Sequence, residues 1–277
     1  RDGMLWLATD WGVAHFDGER FQTLDLGLID RRIYVLDLLR DQRGWLRIAT
    51  LGAGVLSWDG VKLRQLSVAQ GLPSANVWSL ALRESGGLWI GTEEHGLFLR
   101  EDGAFSPVVS SERLAGAVPA DLVRSRDGSL WVGTIGAGVF RLEDGPTAIL
   151  GRTPSAPLLL YGDGLPSDFV RRLHLGRSGL WIGTKVGAAL WTGSKLDVLD
   201  ARREPFPVRD LAEDAGGALW LVNKEEGLLR YQPLPSPPST EGEARYQRQR
   251  FPLATQPTPA ALWSMAQDRQ GRLWLGA

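Results

Sequence analysis

The sequence predicts an all-β fold, a β-propeller of four-stranded blades, from two observations. A segment of the form Leu-Trp-Ile-Gly-Thr recurs seven times in 277 residues, at intervals of 39–54 residues. Each copy is flanked by other strand-length apolar runs, and Gly-containing turns separate these runs. Several short strands repeated about every 40–50 residues are typical of a propeller.

The recurring segment is predicted to be the second strand of each repeat. The copies are residues 5–9, 46–50, 88–92, 130–134, 180–184, 219–223 and 273–277. We call the second residue of each copy the anchor; it is Trp in six copies and Arg47 in the remaining one. A Trp side chain can bury about 150–250 Å². We therefore expect the anchor Trp residues to lie in the core, and the small residue two positions later to allow close approach of a neighbouring blade.

Three further strands complete each repeat. The first is an apolar or alternating run, as at 33–39, 77–82, 122–124, 170–175 and 262–265. The third follows a Gly and is apolar, and the fourth is more polar, as at 21–24, 63–66 and 195–199. Weak patterning with charged residues suits an outer edge strand.

We expect one domain over residues 1–277, because no linker divides the repeats. A Pro-rich stretch predicts a loop insertion at about 232–243, followed by a late outer strand at 244–250. Repeat one lacks its first strand and repeat seven ends after its second. This favours most of a seven-bladed propeller with truncated terminal blades, taken from a longer protein. The alternative is six blades with a spare strand pair.

Composition excludes several classes of function. The net charge is −1, which gives no general attraction to nucleic acid or to an anionic membrane. The chain has no Cys, so neither disulfides nor thiol catalysis are available. It contains no apolar run of about 18 residues that would span a membrane, and no targeting signal. We expect no direct membrane contact from this chain.

These residues resemble a known family, the two-component regulator propeller repeat. The resemblance is carried by Leu-Trp-Ile-Gly-Thr, by the Gly-led third strand ending in Asp-Gly, and by Gly71-Leu72-Pro73-Ser74 and Gly164-Leu165-Pro166-Ser167. It implies a periplasmic ligand-sensing domain, without catalysis of its own, in a bacterial membrane-bound signalling protein. That protein would carry a histidine kinase or diguanylate cyclase output, and homodimerisation would occur through the full-length protein.

Two other propeller families match less well. Residues 125–131 are similar to the Asp-box of sialidases, but the Gly falls one residue early and Leu130 stands where a Thr is expected. Trp58-Asp59 is similar to the Trp-Asp of another repeat family, but it occurs once and the periodic His is absent.

Catalysis and metal binding have weak support in the sequence. The three His residues, at positions 15, 95 and 174, occupy different repeat positions without metal-ligand spacing, so we expect no metal and no cofactor. The acidic pairs at 93–94 and 225–226 share one loop position and could serve as the acid and base of a glycosidase. A propeller glycoside hydrolase or lyase therefore stays open, as does a protein-interaction platform.

A ligand site is expected on one face of the propeller. We call the loop before the first strand the leading loop, and the loop between the second and third strands the middle loop. In a propeller both emerge on one face, the loop face, where aromatic and charged side chains suit a polar ligand such as an oligosaccharide. The predicted binding residues are Asp10, Trp11, Arg31, Tyr34, Asn76, Trp78, Glu93, Glu94, His95, Asp168, Arg171, Lys185, Lys224, Glu225 and Trp263.

Overall fold

A computed structural model describes residues 5–26, 33–110, 112–114, 116–143, 158–199, 206–223, 225–235, 245–251, 262–268 and 270–276. The chain forms two compact units, Arg1–Leu158 (unit 1) and Leu159–Ala277 (unit 2). Each unit is described by itself below. Among the residues described, no helix has the length and apolar character needed to cross a membrane.

Unit 1 contains four antiparallel sheets whose strands follow chain order. The first sheet is β1 (Leu5–Thr9), β2 (Gly12–Phe16) and β3 (Phe21–Thr23). The second is β4 (Tyr34–Arg40), β5 (Leu46–Leu51), β6 (Val55–Trp58) and β7 (Leu63–Leu66). The third is β8 (Val77–Leu82), β9 (Leu88–Thr92), β10 (Gly96–Glu101) and β11 (Ala104–Val109). The fourth is β12 (Val118–Arg124), β13 (Leu130–Ile135) and β14 (Val139–Leu142).

Unit 2 repeats the same plan. Its first sheet is β15 (Val170–Leu175), β16 (Leu180–Thr184), β17 (Ala188–Trp191) and β18 (Leu196–Val198). Its second is β19 (Val208–Glu213), β20 (Leu219–Asn223), β21 (Gly227–Pro233) and β22 (Tyr246–Phe251). Its last is the pair β23 (Ser264–Gln267) and β24 (Leu273–Gly276). Single turns of 3₁₀ helix occur at Val68–Gln70 in unit 1 and Tyr161–Asp163 in unit 2.

The sheets confirm an all-β propeller with blades of up to four strands. Within the described ranges, six sheets have three or four strands and the seventh has two. This corresponds to the six-bladed alternative with a spare strand pair. Seven full blades are not present in that part of the chain, because the seventh repeat contributes only β23 and β24.

The anchor Trp residues are core residues, as predicted, in three repeats. Trp89 and Trp181 are each 1% exposed, and Trp131 is 7% exposed. The remaining anchor Trp residues are half-buried. The indole Nε1–H of Trp181 donates to the buried carboxylate of Glu213 at 2.8 Å, so burial of the ring does not leave its polar atom unpaired.

Arg47 replaces the anchor Trp without losing the polar role of that position. In repeat six, Trp220 Nε1 donates to Asp214 in the preceding turn at 2.8 Å. In repeat two, Arg47 Nε and Nη2 donate to Asp41 in the equivalent turn at 3.0 and 2.7 Å. The guanidinium of Arg47 therefore makes the same kind of hydrogen bond as the indole of Trp220, and this bond links the turn to the second strand.

A second repeated interaction closes each middle loop. The hydroxyl of the Thr that ends the second strand donates to the carbonyl of the Gly that precedes the third strand, as Thr50 does to Gly54 and Thr92 to Gly96, both at 2.8 Å. These two Gly residues have φ of 72° and 85°, in the left-handed region that favours Gly. This hydrogen bond across a tight loop explains why a Gly follows the Thr at a nearly constant distance in the repeat.

Repeat six uses Asn223 in place of this Thr. Asn223 is fully buried, and its Oδ1 accepts from the backbone N–H groups of Glu225 and Glu226 at 2.6 and 3.1 Å. The departure from the repeat preserves the loop with a different side chain.

The first strand of each complete sheet carries a bulge that the sequence did not predict. The register shifts between Val77 and Ser79 in β8 and between Pro119 and Asp121 in β12. Pro119 explains why only 122–124 was recognised as a strand there, since Pro is tolerated in a sheet at a bulge or an edge. Its carbonyl accepts from Ser79 Oγ at 2.7 Å, which joins two neighbouring sheets.

The small residue of the repeat does lie at a close contact between sheets. A Cβ at Gly91 would lie 2.7 Å from the carbonyl oxygen of Pro119 in the next sheet. A Cβ at Gly183 would lie 2.7 Å from Val208 Cγ1, again in the next sheet. The close approach inferred from sequence is confirmed at both positions.

Strands flank the stretch predicted as a Pro-rich insertion, which itself stays a prediction. β21 runs through Pro233, which pairs with Tyr246 at the end of the strand, where Pro is tolerated. The late outer strand is β22 at Tyr246–Phe251, two residues beyond the predicted start. Residues 236–244 lie outside the described part of the chain.

Candidate functional site

The leading and middle loops meet on one face in each unit. In unit 1 the backbone N–H groups of Gly52 and Gly54 donate to the Ala75 carbonyl at 3.1 and 2.8 Å. This bond joins the middle loop of one sheet to the leading loop of the next. In unit 2 the Lys185 N–H, in a middle loop, donates to the Phe169 carbonyl, in a leading loop, at 3.0 Å. Backbone hydrogen bonds between loops therefore hold the loop face together within each unit.

The Gly-Leu-Pro-Ser motif constructs the leading loop. Gly71 ends a 3₁₀ turn with φ of 89°. Leu72 then inserts into the core at 1% exposure, and Ser74 Oγ accepts from the Asn76 N–H at 3.0 Å. Gly164, Leu165 and Ser167 repeat this arrangement in unit 2, where the Ser accepts from the N–H of Phe169 at 3.1 Å.

Glu94 organises the loop face of unit 1 and is held by its neighbours. Its carboxylate accepts from the Ser74 hydroxyl and from Asn76 Nδ2, the latter at 2.9 Å. The hydrogen bond from Ser74 is the largest influence on the pKa of Glu94, and with that from Asn76 it outweighs desolvation and lowers the pKa. Of the predicted site residues, the structure thus brings Asn76 and Glu94 together, but with their polar groups already paired.

The other described residues that were predicted for the site in unit 1 belong to middle loops or lie near the start of first strands. Trp11 is 77% exposed, and Asp10, Tyr34 and His95 are exposed as well. Glu93 is half-buried, and its N–H donates to the Asn76 carbonyl at 3.1 Å. Trp78 is half-buried in the bulge of β8, and its indole N–H has no hydrogen-bond partner among the described residues.

Asp168, Lys185 and Glu225 are loop residues of unit 2. Asp168 Oδ1 accepts from the Tyr161 N–H at 2.6 Å, so this carboxylate holds the 3₁₀ turn in place. Lys185 Nζ lies 5.3 Å from the centre of the Phe169 ring. Glu225 is exposed. Arg31 and Lys224, also predicted, lie outside the described residues.

A cluster of basic and aromatic side chains lies at the bulge position of unit 2. The register shifts between Val170 and Arg172, which places Arg171 at the bulge of β15. It shifts again between Val208 and Asp210, which places Arg209 at the bulge of β19. Trp263 holds the equivalent position before β23. Its N–H donates to the Gly276 carbonyl at 2.8 Å, and we call these three residues the bulge cluster.

The side chains of the bulge cluster are close together. The Arg209 guanidinium carbon lies 4.3 Å from the centre of the Trp263 ring, and Trp263 is 51% exposed. Burial, and after it the charge of Arg171, lowers the pKa of Arg209. Arg side chains remain protonated in proteins, and Arg171 and Arg209 lie at the bulges of two neighbouring first strands, so the cluster carries two positive charges.

The carboxylate of Asp210, the residue that follows Arg209, already interacts with other groups. Asp210 accepts from the N–H groups of Leu211 and Met265 at 2.9 and 2.7 Å, and Arg172 Nε lies 3.6 Å from its carboxylate. Burial raises the pKa of Asp210 despite these contacts. In the described ranges of the chain, neither Arg171 nor Arg209 forms an ion pair.

The sequence reasoning missed Arg209, and a signal for it was present. Val208-Arg209-Asp210-Leu211 aligns directly with Val170-Arg171-Arg172-Leu173. This alignment places Arg209 at the same repeat position as Arg171.

Clefts in unit 1 occur away from the predicted residues. One of about 480 Å³ is lined by turn residues that include Asp41, Arg43 and Glu101. Another of about 470 Å³ is lined mainly by Leu39, Leu82 and Arg124, at the ends of first strands. Neither contains a predicted site residue. Among the residues the structure describes, no group of three or more His, Cys, Asp or Glu lies together.

The class of protein follows from fold and repeat together: a β-propeller that carries a regulator-type repeat. Residues 71–94 match the family model described as "Two component regulator propeller". The match includes the Gly-Leu-Pro-Ser motif, one complete Leu-Trp-Ile-Gly-Thr segment and Glu94, so the resemblance inferred from the sequence is confirmed there.

Solved structures share the fold across nearly the whole chain. The extracellular domain of the putative one component system BT4673 from B. thetaiotaomicron is 19% identical with a TM-score of 0.75, covering 100% of this chain and 36% of that one. For the putative hybrid two component system BT3049 from the same organism the values are 17%, 0.73, 99% and 37%. A streptogramin B lyase is 14% identical with a TM-score of 0.73, covering 99% of this chain and 87% of that one.

The chain spans little more than a third of the length of the two extracellular domains. No curated protein sequence matches it significantly.

Proposed function

We propose that this chain is a non-catalytic ligand-sensing propeller of a bacterial membrane-bound signalling protein. It binds a polar ligand, such as an oligosaccharide, on its loop face. The observation that carries the proposal is the similarity of the whole chain to extracellular domains of putative one component and hybrid two component systems. The regulator propeller repeat at residues 71–94 supports the same class.

Location and partners follow from this class. The domain lies in the periplasm, and the full-length protein carries a kinase or cyclase output on the cytoplasmic side. Ligand contacts that involve more than one sheet favour one packing of the sheets over another, and the full-length protein, as a homodimer, transmits that preference.

Ligand binding without turnover is the result expected from a sensor. The chain is incubated with a panel of acidic and neutral oligosaccharides, and both the melting temperature and the products are measured. A rise in melting temperature with unchanged oligosaccharide supports the proposal. Absence of any shift across the panel, with no product, counts against an oligosaccharide ligand.

Signalling by the full-length protein tests the loop face. Glu94→Ala removes the acceptor that orders Ser74 and Asn76, so it should weaken the response to ligand. Arg126→Ala is a matched change at an exposed turn between the first and second strands, away from the loop face, and should leave the response intact. The reverse pattern would place the site on the other face.

A propeller lyase is the second candidate, favoured by the similarity to streptogramin B lyase over 87% of that enzyme's chain. The same incubation separates the two candidates. An unsaturated or cleaved product that accumulates with time, and that requires the folded chain, would favour the lyase over the sensor.

A further inference from the structure

The two Arg residues of the bulge cluster have no acidic partner among the described residues, whereas several other Arg residues do. Arg47, Arg83 and Arg141 each lie 2.7 Å from a carboxylate oxygen. Arg171 and Arg209 form no such pair in the described ranges, and Arg209 Nε is buried without a hydrogen-bond partner there. A buried polar atom left unpaired costs free energy, so this arrangement calls for a partner that the chain does not supply.

The geometry leaves donors available for such a partner. The guanidinium carbon of Arg209 lies 4.3 Å from the centre of the Trp263 ring. A contact between a guanidinium and an aromatic ring does not use the N–H donors of the guanidinium in hydrogen bonds. A planar fork of this kind matches the oxygens of a carboxylate or sulfate. Arg171 lies at the corresponding bulge of β15, the neighbouring first strand.

Trp263 supplies an apolar surface next to these donors. The residue is 51% exposed, so part of the ring is open to a ligand. An aromatic face beside a few directed polar groups is typical of ligand sites. The bulges of β15 and β19 affect the two Arg side chains, since a bulge changes the direction in which a side chain points.

We propose that Arg171, Arg209 and Trp263 form a binding site for an acidic sugar. Its carboxylate or sulfate contacts the two guanidinium groups, and its ring packs against the exposed indole. This deepens the proposed sensing function and rests on it. Uronate and sulfated sugars share the chemistry, and the experiment distinguishes them.

The test is titration of the 277-residue chain, followed by calorimetry and Trp fluorescence, with four probes. These are an oligogalacturonate, a sulfated oligosaccharide, a neutral malto-oligosaccharide and inorganic sulfate. We expect one acidic oligosaccharide to bind most tightly, with an affinity that falls as salt is raised. Arg171→Met and Arg209→Met keep the aliphatic stem and remove the charge, and each should weaken that binding by about tenfold or more.

Two controls separate the cluster from general charge and general aromatic effects. Arg250→Met removes an exposed Arg of the outer strand β22, and Phe21→Ala removes an exposed aromatic side chain of the outer strand β3; both should leave the affinity unchanged. Trp263→Ala should weaken the oligosaccharide but not inorganic sulfate. Melting curves confirm that each variant is folded.

The outcomes distinguish this inference from the proposed function. Equal binding of neutral and acidic oligosaccharides, or acidic binding that survives both Arg variants, overturns the acidic-sugar site while leaving a sensing role intact. Failure of all three oligosaccharides to bind, with signalling still dependent on Glu94, also overturns it. Failure of binding together with loss of any role for the loop face counts against the proposed function itself.

Discussion

The residues at one repeat position differ between the two units. At the bulges of its first strands, unit 1 has Leu36, Trp78 and Ala120. Unit 2 has Arg171 and Arg209 at its two bulges, and Trp263 at the equivalent position just before β23. A Trp occurs in both units, but it is accompanied by Arg residues only in unit 2, and the bulge occurs with either set, so the backbone does not require one of them.

The residue that follows the bulge, in contrast, keeps a structural role in both units. Asp37 accepts from the Leu80 N–H at 2.8 Å in unit 1, and Asp210 accepts from the Met265 N–H at 2.7 Å in unit 2. Each bond joins a first strand to the first strand of the next sheet. The comparison separates a position that holds sheets together from an adjacent position that varies, and the latter is where a ligand site can differ between repeats.

The largest expected effect separates the two kinds of Trp in the molecule. Trp89→Ala should lower the free energy of unfolding by about 3–5 kcal/mol, because it leaves a cavity in the core. Trp263→Ala should change it by less than about 0.5 kcal/mol, because the side chain is half exposed. Denaturant unfolding of both variants measures the difference. Similar decreases in the free energy of unfolding for both variants would contradict the distinction between a core Trp at the anchor position and an exposed Trp at position 263.

The bond between neighbouring sheets should have a similar value in both units. Asp210→Ala and Asp37→Ala each leave two backbone N–H groups without their acceptor. We expect each change to destabilise the chain by about 1–3 kcal/mol. Equilibrium unfolding compares them, with Asp163→Ala on an exposed turn as a milder control. If only one of the two substitutions lowered the stability, the Asp residues at this position of the repeat would not have the same structural role in both units.

The loop face of unit 1 should respond to pH through Glu94. Its pKa is lowered in the folded state, so its contribution is complete above the unfolded value of about 4.3 and is lost as pH falls through the folded value. The stability difference between wild type and Glu94→Gln, about 0.5–1 kcal/mol near neutral pH, should therefore shrink as the pH is lowered below the unfolded value of about 4.3. Thermal melts across this range measure it.

Glu93→Gln is the matched control for this titration, because the described structure gives its carboxylate no hydrogen bond. Its difference from wild type should stay small throughout the range. A Glu94 difference that grew on acidification would mean that the hydrogen bonds from Ser74 and Asn76 do not favour the ionised form.

The smallest effect on stability is expected at the bulge cluster. Arg209→Met removes an unpaired buried Nε and a repulsion with Arg171, while the stem can still pack on Trp263. Stability should stay within about 0.5 kcal/mol of wild type or rise slightly. Chemical denaturation checks this, and a loss above about 1 kcal/mol would indicate that the Arg serves the fold.

The sequence predicted the parts of the fold that repeat and missed what depends on register. Periodic Trp and Gly-Thr pairs located the second strands because the same packing demand recurs in each sheet. The bulges could not be predicted in this way, because one extra residue changes the pairing between two strands without changing the apolar content of the segment. The sequence pattern did not indicate the start of β12, because Pro119 interrupts it. It did not single out Arg209, because the start of that repeat departs from the pattern of the others.

The sequence places the candidate residues in loops but does not indicate which of their polar groups are already paired. Asn76 and Glu94 are both loop residues in the prediction, and the folded structure shows in addition that Glu94 accepts hydrogen bonds from Asn76 and Ser74. Arg171 and Trp263 were selected from separate repeats, and their relation through Arg209 required knowledge of which first strands are neighbours. Whether a polar side chain is already paired is a property of the folded arrangement, and no single segment contains it.

The bulge of β19 makes two contacts with the segment that begins the next sheet. Arg209 and Asp210 are consecutive residues of this bulge: the Arg209 guanidinium carbon lies 4.3 Å from the centre of the Trp263 ring, and the Asp210 carboxylate accepts a hydrogen bond from the Met265 N–H. Because a single peptide group joins the two residues, a substitution that changes the backbone of the bulge should shift both contacts together.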